Sequence, residues 1–267
     1  MEFFYNTAIG RFLANILFRT GILSIASKYF RTKHSTWIID NYIKNNNIDM
    51  EQFEEKEYES FADFFIREKK NISIEKNENV LISPCDSFLS MYNIGDDSIF
   101  TIKGIPYSLD ELLPDGSGNK YKGGMCLVYR LEARDFHHFC FIDNCSDAEA
   151  KLIPGKLHSV QPIAIEKVPV FRQNRRYYHE MKTENFGDVM QIEVGAVLVG
   201  DVYYEKVQGK ALKGQRAGHF ELCGSTIMQL FTKETMDKIS IYEHISDMLK
   251  TSEEIKVEMG QGIGVKN

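Results

Sequence analysis

The sequence predicts an α+β protein whose antiparallel, β-rich core, barrel-like or sandwich-like, is preceded by amphipathic helices. From about residue 80 onward, short runs rich in β-branched and aromatic residues alternate with turn residues, as in antiparallel strands. These runs lack the strand–helix–strand rhythm of a parallel sheet. Before residue 70, apolar residues instead recur at helical spacing. We therefore divide the chain into a helical region, residues 1–70, and a β-rich domain, residues 71–267.

Two amphipathic helices are predicted near the N-terminus, one on either side of Gly21. Their apolar positions are Ile9, Phe12, Leu13, Ile16 and Leu17, followed by Ile22, Ile25, Ala26, Tyr29 and Phe30. Five basic residues against one acidic residue give residues 1–34 a net charge of +4, in a chain whose net charge is −6. Such a basic amphipathic pair suits an anionic bilayer surface. The alternative is that these helices cap the core and their charges only face solvent.

Two further helices are predicted before the β-rich domain. Residues 35–45 carry apolar residues at helical spacing, and the three asparagines at 45–47 end this helix. Ser60 and Asp63 then form a capping signal for a short helix. The aromatic residues of this short helix are Phe61, Phe64 and Phe65.

The predicted strands are short apolar or alternating runs bounded by turns. They cover residues 80–82, 88–92, 98–102, 125–131, 139–143, 155–160, 177–182, 189–199 and 227–231. Residues 255–258 alternate like an edge strand, and glycines follow them. Because these strands follow one another without long helical crossovers, we expect antiparallel pairing between them.

Composition excludes several classes of protein. A net charge of −6 does not suit a nucleic-acid-binding protein. The seven histidines and five cysteines lack metal-ligand spacing, so no metal site is predicted. No apolar run approaches the ~18 residues that a membrane span needs, and the first residues lack the basic opening of a secretory signal. The odd cysteine count then indicates free thiols in a reducing compartment.

The Gly224–Ser225 pair is the most reactive feature that the sequence suggests. Gly224 leaves its carbonyl unshielded, and the Ser225 hydroxyl follows one residue later. A serine so placed can attack the preceding carbonyl and convert the amide into an ester. Elimination from that ester would cut the chain and leave a pyruvoyl group at residue 225. By themselves, these residues also suit an ordinary turn before a strand.

The surrounding residues resemble a known family. Residues 213–226 read Lys-Gly-x-x-x-Gly-x-Phe-x-x-x-Gly-Ser-Thr, which is similar to the cleavage region of the phosphatidylserine decarboxylases. Three other stretches resemble the same family in the same order: Phe-Phe-x-Arg at 64–67, Ser-Pro-x-Asp at 83–86 and Arg-Asp-x-His at 134–137. Together these matches are specific, whereas each alone has an ordinary structural explanation.

The resemblance implies a proenzyme and a reaction. Self-cleavage would give a β chain, residues 1–224, and an α chain, residues 225–267, whose first residue becomes the covalent pyruvoyl cofactor. That group would form a Schiff base with phosphatidylserine and release CO2, giving phosphatidylethanolamine. Residues 1–70 would then serve membrane association at the cytoplasmic face of the cell membrane, and residues 71–267 would be the catalytic domain. The oligomeric state stays open.

The resemblance also assigns roles to site residues, with one departure. Asp86 matches the aspartate of the self-cleavage triad, and His137 matches a histidine of the active site. The family's second histidine falls on Cys140, and a thiol is a poor base at neutral pH. We predict that His158 replaces it as the base for Ser225, provided that strands 139–143 and 155–160 are neighbours. An ordinary surface or core histidine is the alternative for His158.

Two other functions remain open at this stage. A relative with the same pyruvoyl chemistry could decarboxylate a soluble amino acid. An uncleaved lipid-binding homologue is suggested by Cys140 and by Cys223, which stands where many family members have glycine or a shorter loop. The basic N-terminal helices favour a lipid substrate.

Overall fold

Antiparallel strands dominate the part of the chain that the computed structural model describes, residues 2–7, 9–10, 22–197, 201–222 and 225–267. Numbered in chain order, the strands are β1 (Val80–Ile82), β2 (Ser87–Asn93), β3 (Ile99–Ile102), β4 (Ile105–Ser108), β5 (Met125–Leu131), β6 (His138–Cys140), β7 (Cys145–Asp147), β8 (Lys151–Ile153), β9 (Arg176–Thr183), β10 (Asp188–Val194), β11 (Val202–Tyr204), β12 (Arg216–Phe220), β13 (Ser225–Phe231), β14 (Ile239–Ile241), β15 (Ile255–Val257) and β16 (Gly262–Lys266).

Helices are concentrated before the strands and near the C-terminus. The α-helices are α1 (Glu2–Asn6), α2 (Ile22–Phe30), α3 (Ile39–Asn46), α4 (Phe61–Phe65), α5 (Leu109–Leu112), α6 (Pro162–Ile165), α7 (Val170–Gln173), α8 (Lys233–Met236) and α9 (Glu243–Thr251). The 3-10 segments are Lys33–Ile38, Met50–Gln52 and Ser117–Tyr121. Within the described ranges, no helix is long and apolar enough to cross a bilayer.

An eight-stranded antiparallel sheet forms the centre of the fold. Its strands lie in the order β15, β2, β5, β13, β10, β9, β7, and β8 also pairs with β9. Smaller sheets surround it: β1, β16 and β14; β11, β12 and β6; and the hairpin of β3 and β4. The described strands form no closed barrel, so the fold is α+β with a sandwich-like core, as the sequence predicts.

Both faces of the central sheet are buried. Successive side chains of a strand point to opposite faces. Leu131 and Ile227 accordingly belong to one hydrophobic cluster, which we call the front core. Val128 and Met228 belong to another, which we call the back core. The central strands thus have layers of protein on both sides, and each polar side chain on them faces one of these two cores.

Helices α2, α3 and α4 pack on the front core, whereas α1 contributes Tyr5 to the back core. Ser60 caps α4 as predicted, because its hydroxyl accepts a hydrogen bond of 3.1 Å from the Asp63 amide. The rings of Phe61 and Tyr42 meet edge to face at 4.9 Å, and Phe61 is also a front-core residue. The boundary at residue 70 stays a prediction, but α2, α3 and α4 share the front core with the strands.

Several predicted elements differ from the structure. The strand predicted over 155–160 is wrong, because that segment makes only an isolated bridge between Lys156 and Asn174. The helix predicted over 35–45 begins as the 3-10 segment Lys33–Ile38 and becomes α-helical only from Ile39. The prediction missed α9. The helix predicted over 9–17 falls largely outside the described residues.

Candidate active site

Ser225 opens the strand at the middle of the central sheet. Strand β13 lies between β5 and β10, and Ser225 is opposite Leu131 of β5. The side chain is buried, and its Oγ has no hydrogen-bond partner among the residues that the structure describes. Its neighbours Cys223 and Gly224 lie outside those residues. A buried serine hydroxyl without a partner is costly to keep for structure alone, which makes it a candidate for chemistry.

The Ser225 side chain faces the front core. Ile227, two residues later on β13, and Leu131, directly opposite, both belong to that cluster, whereas Thr226 points the other way with Met228. Among the described residues, those on the side that the Ser225 hydroxyl faces therefore belong to the front layer, which contains α4, β6 and β12.

His137 lies in that front layer, in the loop that follows β5. Its ring packs on Phe65 with centroids 4.1 Å apart, and its Nδ1 is 2.9 Å from the Asp135 carbonyl oxygen. The ring is buried, and its Nε2 has no hydrogen-bond partner in the described part of the chain. Burial, followed by the charge of Arg67, lowers the pKa of His137 well below its usual value. The imidazole is therefore neutral at pH 7.

Asp86 is held just before β2 by two groups. Its Oδ1 accepts a hydrogen bond of 2.9 Å from the Met259 amide, and its Oδ2 forms an ion pair with Lys69. Met259 belongs to the predicted α chain, so this carboxylate links the two predicted chains. The pairing with Lys69 was missed, because a lysine in a charged run gives no sequence signal for a buried partner.

Cys140 lies beside Asp86, where the family's second histidine would be. The Cys140 amide donates a hydrogen bond of 2.9 Å to the Pro84 carbonyl. Burial, with a smaller contribution from the Asp86 charge, raises the pKa of the Cys140 thiol to about 12. The thiol is thus protonated at neutral pH and cannot serve as a general base.

His158 is not brought to Asp86 or to Ser225. Its segment does not pair with β6, which instead pairs with β12, so the expected neighbouring strands are absent from the described fold. The His158 ring lies 6.3 Å from the ring of Tyr5, a back-core residue. Neither Asp86 nor Ser225 makes a hydrogen bond with His158 in the described residues. Burial lowers the pKa of His158 to about 4.

Asn174 fixes the His158 segment to the strand next to β13. Its side-chain amide donates hydrogen bonds of 2.8 Å and 2.7 Å to the carbonyls of His158 and Gly195. Its Oδ1 accepts a hydrogen bond of 3.0 Å from the His158 amide. These bonds join the loop that holds His158 to the residue that follows β10, at one edge of the sheet.

A buried glutamate–histidine pair lies two residues from Ser225 in strand register. Glu193 is opposite Ile227, and its carboxylate accepts hydrogen bonds of 2.9 Å from His179 and 2.8 Å from Tyr204. Burial acts to raise the pKa of Glu193, but the His179 charge and the hydrogen bonds outweigh it, and the net shift is downward. Sequence analysis missed this pair, since its residues are far apart and carry no motif.

A cavity of about 880 Å³ lies at the edge of the sheet where β13 begins. Its lining joins the end of β5, residues 130–134, to residues 159–163 and to Ala196 and Val197 after β10. Tyr42 and residues 45–47 of the N-terminal helical region form another wall. Its volume is that of a small-molecule site.

The chain is similar to proteins of a known family over most of its length. The family model described as phosphatidylserine decarboxylase matches residues 61–265. A protein of Clostridium acetobutylicum, named phosphatidylserine decarboxylase proenzyme 2, is 41% identical, over 100% of this chain and 92% of its own length. Proteins of Clostridium botulinum and Clostridium novyi, both named phosphatidylserine decarboxylase proenzyme, are each 38% identical, over 98% and 100% of this chain and 90% and 92% of their own lengths.

Proposed function

The chain belongs to the phosphatidylserine decarboxylase family, and we propose that it is a proenzyme that cuts itself between Gly224 and Ser225 and then decarboxylates phosphatidylserine. The product is phosphatidylethanolamine, with release of CO2. One observation carries the proposal: the buried Ser225 hydroxyl at the start of the central strand has no hydrogen-bond partner among the described residues. This hydroxyl belongs to the Gly-Ser-Thr stretch that resembles the family's cleavage region.

Self-cleavage needs only groups of the chain and water. The Ser225 oxygen attacks the Gly224 carbonyl carbon, and the peptide nitrogen leaves as the amine of Ser225, so the amide becomes an ester. A base then removes the α-proton of Ser225, and the ester oxygen leaves with Gly224 as a carboxylate. Water replaces the nitrogen of the resulting enamine, and ammonia is released. Residue 225 then begins a new chain as a pyruvoyl group.

The base for these proton transfers is the His137 imidazole, with His158 as the less favoured candidate. His137 lies in the front layer that the Ser225 side chain faces, and its Nε2 has no hydrogen-bond partner in the described residues. A neutral imidazole with an unshared electron pair at Nε2 can accept the serine proton. The Asp86 carboxylate, which lies beside Cys140, offsets the positive charge of its ion-pair partner Lys69.

The residues around Ser225 fit the pyruvoyl group. The Ser225 hydroxyl has no hydrogen-bond partner in the described structure, so its conversion to a ketone leaves no other buried polar group without a partner. Once formed, the group supplies a ketone that binds the substrate amine and withdraws electrons from the carboxylate carbon. His137 Nε2 accepts the proton of the substrate's ammonium group and holds it for return to the α-carbon.

The cavity of about 880 Å³ is the proposed substrate site. It opens at the sheet edge where β13 begins, and Leu131, the residue opposite Ser225, lines it. Arg134, which also lines it, has a side chain that is 48% exposed and is a candidate for attracting the anionic headgroup. The asparagines at 45–47 also line the cavity, so its opening lies next to the N-terminal helices.

Those helices support peripheral attachment to an anionic membrane surface. Ile25 and Trp37 are 69% and 68% exposed, and Tyr29 lies between them in sequence and donates a hydrogen bond to the His34 carbonyl. The basic side chains of Lys28 and Arg31 are exposed in the same region. Exposed apolar and basic groups on one short segment suit the headgroup boundary of a bilayer, at the cytoplasmic face.

Mass spectrometry and a decarboxylation assay test the proposal together. The purified wild-type chain should separate under denaturing conditions into residues 1–224 and a pyruvoyl-blocked chain beginning at residue 225, and Ser225→Ala should stay at 30.8 kDa. Vesicles containing phosphatidylserine should release CO2, while free amino acids should not. A chain that stays whole yet decarboxylates would refute self-cleavage, and CO2 from a free amino acid alone would refute the lipid substrate.

A further inference from the structure

Arg67 is a buried cation with an unusual set of contacts. It is 2% exposed, and its guanidinium carbon lies 4.4 Å and 5.0 Å from the ring centroids of Phe53 and Phe64. Its Nη2 donates hydrogen bonds of 3.0 Å and 3.2 Å to the carbonyl oxygens of Arg134 and Asp135. Its Nε and Nη1 have no hydrogen-bond partner in the described ranges. Burial of a guanidinium charge without a paired carboxylate costs free energy of folding. The charge of Arg67 is therefore a candidate for a functional role.

The Asp135 carbonyl joins Arg67 to His137. The same oxygen that accepts from Arg67 Nη2 lies 2.9 Å from His137 Nδ1. A carbonyl oxygen only accepts hydrogen bonds, so Nδ1 must carry the ring proton. In the neutral ring the electron pair is then on Nε2, which is the atom left without a partner in the described residues. The Asp135 carbonyl thus fixes the position of the Arg67 guanidinium relative to the His137 ring.

We propose that Arg67 is a positioning residue for His137: it holds the Asp135 carbonyl that fixes the imidazole tautomer, and its nearby positive charge opposes a second positive charge on the ring. The inference rests on the proposed function, in which His137 is the proton-transfer group. The backbone carbonyl here takes the orienting part that a carboxylate takes in a Ser-His-Asp triad.

The charges around His137 support this assignment. Burial is the largest cause of its lowered pKa and the Arg67 charge is the second, while the bond to Asp135 acts in the opposite direction. His138 and Lys256 also lower it. The nearby carboxylates of Asp135 and Asp86 are ion-paired with Lys256 and Lys69 respectively. Removal of the Arg67 charge should therefore raise the His137 pKa.

Nitrogen-15 NMR of histidine-labelled Ser225→Ala protein tests the inference without any catalysis. The full-length chain stays uncleaved, and the His137 signals are assigned by their loss in His137→Asn. At neutral pH, His137 should appear as the neutral tautomer with the proton on Nδ1. A ring protonated on Nε2, or a charged ring, would overturn the proposal even if every Arg67 variant failed to fold.

Two variants of Arg67 then test the effect of its charge on His137. In the Ser225→Ala background, Arg67→Met removes the charge and keeps an apolar side chain between the two phenylalanines, while Arg67→Lys keeps the charge. His137 should titrate at higher pH in Arg67→Met than in the parent, and Arg67→Lys should stay close to the parent. Phe53→Leu is the matched packing control: it should lower thermal stability and leave the titration of His137 unchanged. Equal titration in Arg67→Met and the parent would refute the inference.

The cleaved enzyme supplies a second readout. Where Arg67→Met still matures by mass spectrometry, kcat should fall about 10- to 100-fold with little change in KM, because a misplaced group costs transition-state geometry. The acid limb of kcat/KM should move to higher pH, since His137 is then protonated earlier. An unchanged acid limb would overturn the role of Arg67, whereas absence of decarboxylation in the wild type would instead overturn the proposed function.

Discussion

Ser225 and Leu131 lie opposite each other in the antiparallel pair of β13 and β5. The first residue of the predicted α chain is therefore fixed against the last residue of a strand that belongs to the β chain. The loop that leads to His137 begins directly after Leu131. This relationship explains how a serine on one side of the cleavage point and a histidine about 90 residues earlier can belong to one site.

The two chains should remain together after cleavage. The α chain contributes β13 between β5 and β10, β15 beside β2, and β16 beside β1. Hydrogen-bonded strands buried on both faces do not separate without unfolding. Size-exclusion chromatography in native buffer should recover residues 1–224 and 225–267 in one peak, and guanidinium chloride should separate them. Loss of the smaller chain in native buffer would contradict this topology.

Substitution of each candidate histidine in turn should show which one acts as the base. His137→Gln removes the front-layer ring whose Nε2 has no partner in the described residues, and we expect slower self-cleavage and a 100- to 10,000-fold lower decarboxylation rate. His158→Gln should mature at close to the wild-type rate, because His158 lies with the back core. The measurements are the time course of cleavage by mass and the CO2 release of the cleaved fraction. Normal maturation of His137→Gln together with arrest of His158→Gln would restore the role first predicted for His158.

Cys140 should be dispensable as a thiol. Because burial raises its pKa to about 12, it carries no useful basicity at neutral pH. Cys140→Ala should mature nearly as fast as the wild type. Cys140→His places an imidazole beside Asp86 and should mature faster than Cys140→Ala, which serves as its control. A strong loss of cleavage in Cys140→Ala would show that the thiol takes part in the reaction.

The uncleaved protein should lose stability in mild acid. The pKa values of His138 and His158 are lowered to about 4, chiefly by burial, and that of His219 is also lowered by burial. The unfolded chain takes up these protons near pH ~6.5, while the folded chain excludes them. The stabilisation is thus complete above ~6.5 and decreases as the pH falls toward about 4.

Urea unfolding of Ser225→Ala between pH 7 and pH 5.5 measures this dependence, in a range where carboxylates contribute little. Each buried neutral histidine increases the slope of the free energy of unfolding against pH by up to about 1.4 kcal/mol per pH unit. His138→Asn should make the dependence shallower than in the Ser225→Ala parent. A free energy of unfolding that is constant over this range would contradict the buried neutral state of these rings.

Vesicle binding should depend on the exposed apolar residues of the N-terminal helices. Ile25→Ser and Trp37→Ser should each weaken binding to anionic vesicles roughly ten-fold, as expected for loss of a buried large apolar side chain. Met248→Ser, which removes an exposed apolar side chain from α9, is the control and should have no effect. Added salt should weaken binding of the full-length protein. Equal binding of all three variants would assign these helices a purely structural role.

Local patterns predicted many elements closely. Strand β5 was predicted with the bounds that the structure has, and α4 begins at the predicted cap, since Ser60 binds the Asp63 amide. Such elements depend on neighbours in sequence, where alternation and capping act directly. The strand predicted over 155–160 failed for the opposite reason: an apolar run becomes a strand only if a partner edge is available, and Asn174 takes that segment instead.

By itself the sequence indicated the bond proposed for cleavage and the type of chemistry, because the Gly-Ser pair stands in residues 213–226, which resemble the cleavage region of the family. It also determined that the fold is β-rich with helices before it. Only the tertiary structure decided which histidine shares a layer with Ser225. That choice depends on the face of the sheet to which each side chain points. Strand alternation and pairing register determine this face, and they bring together residues about 90 positions apart in sequence. Tertiary packing also brought together the contacts of Arg67 and of Asp86, for which no local pattern exists.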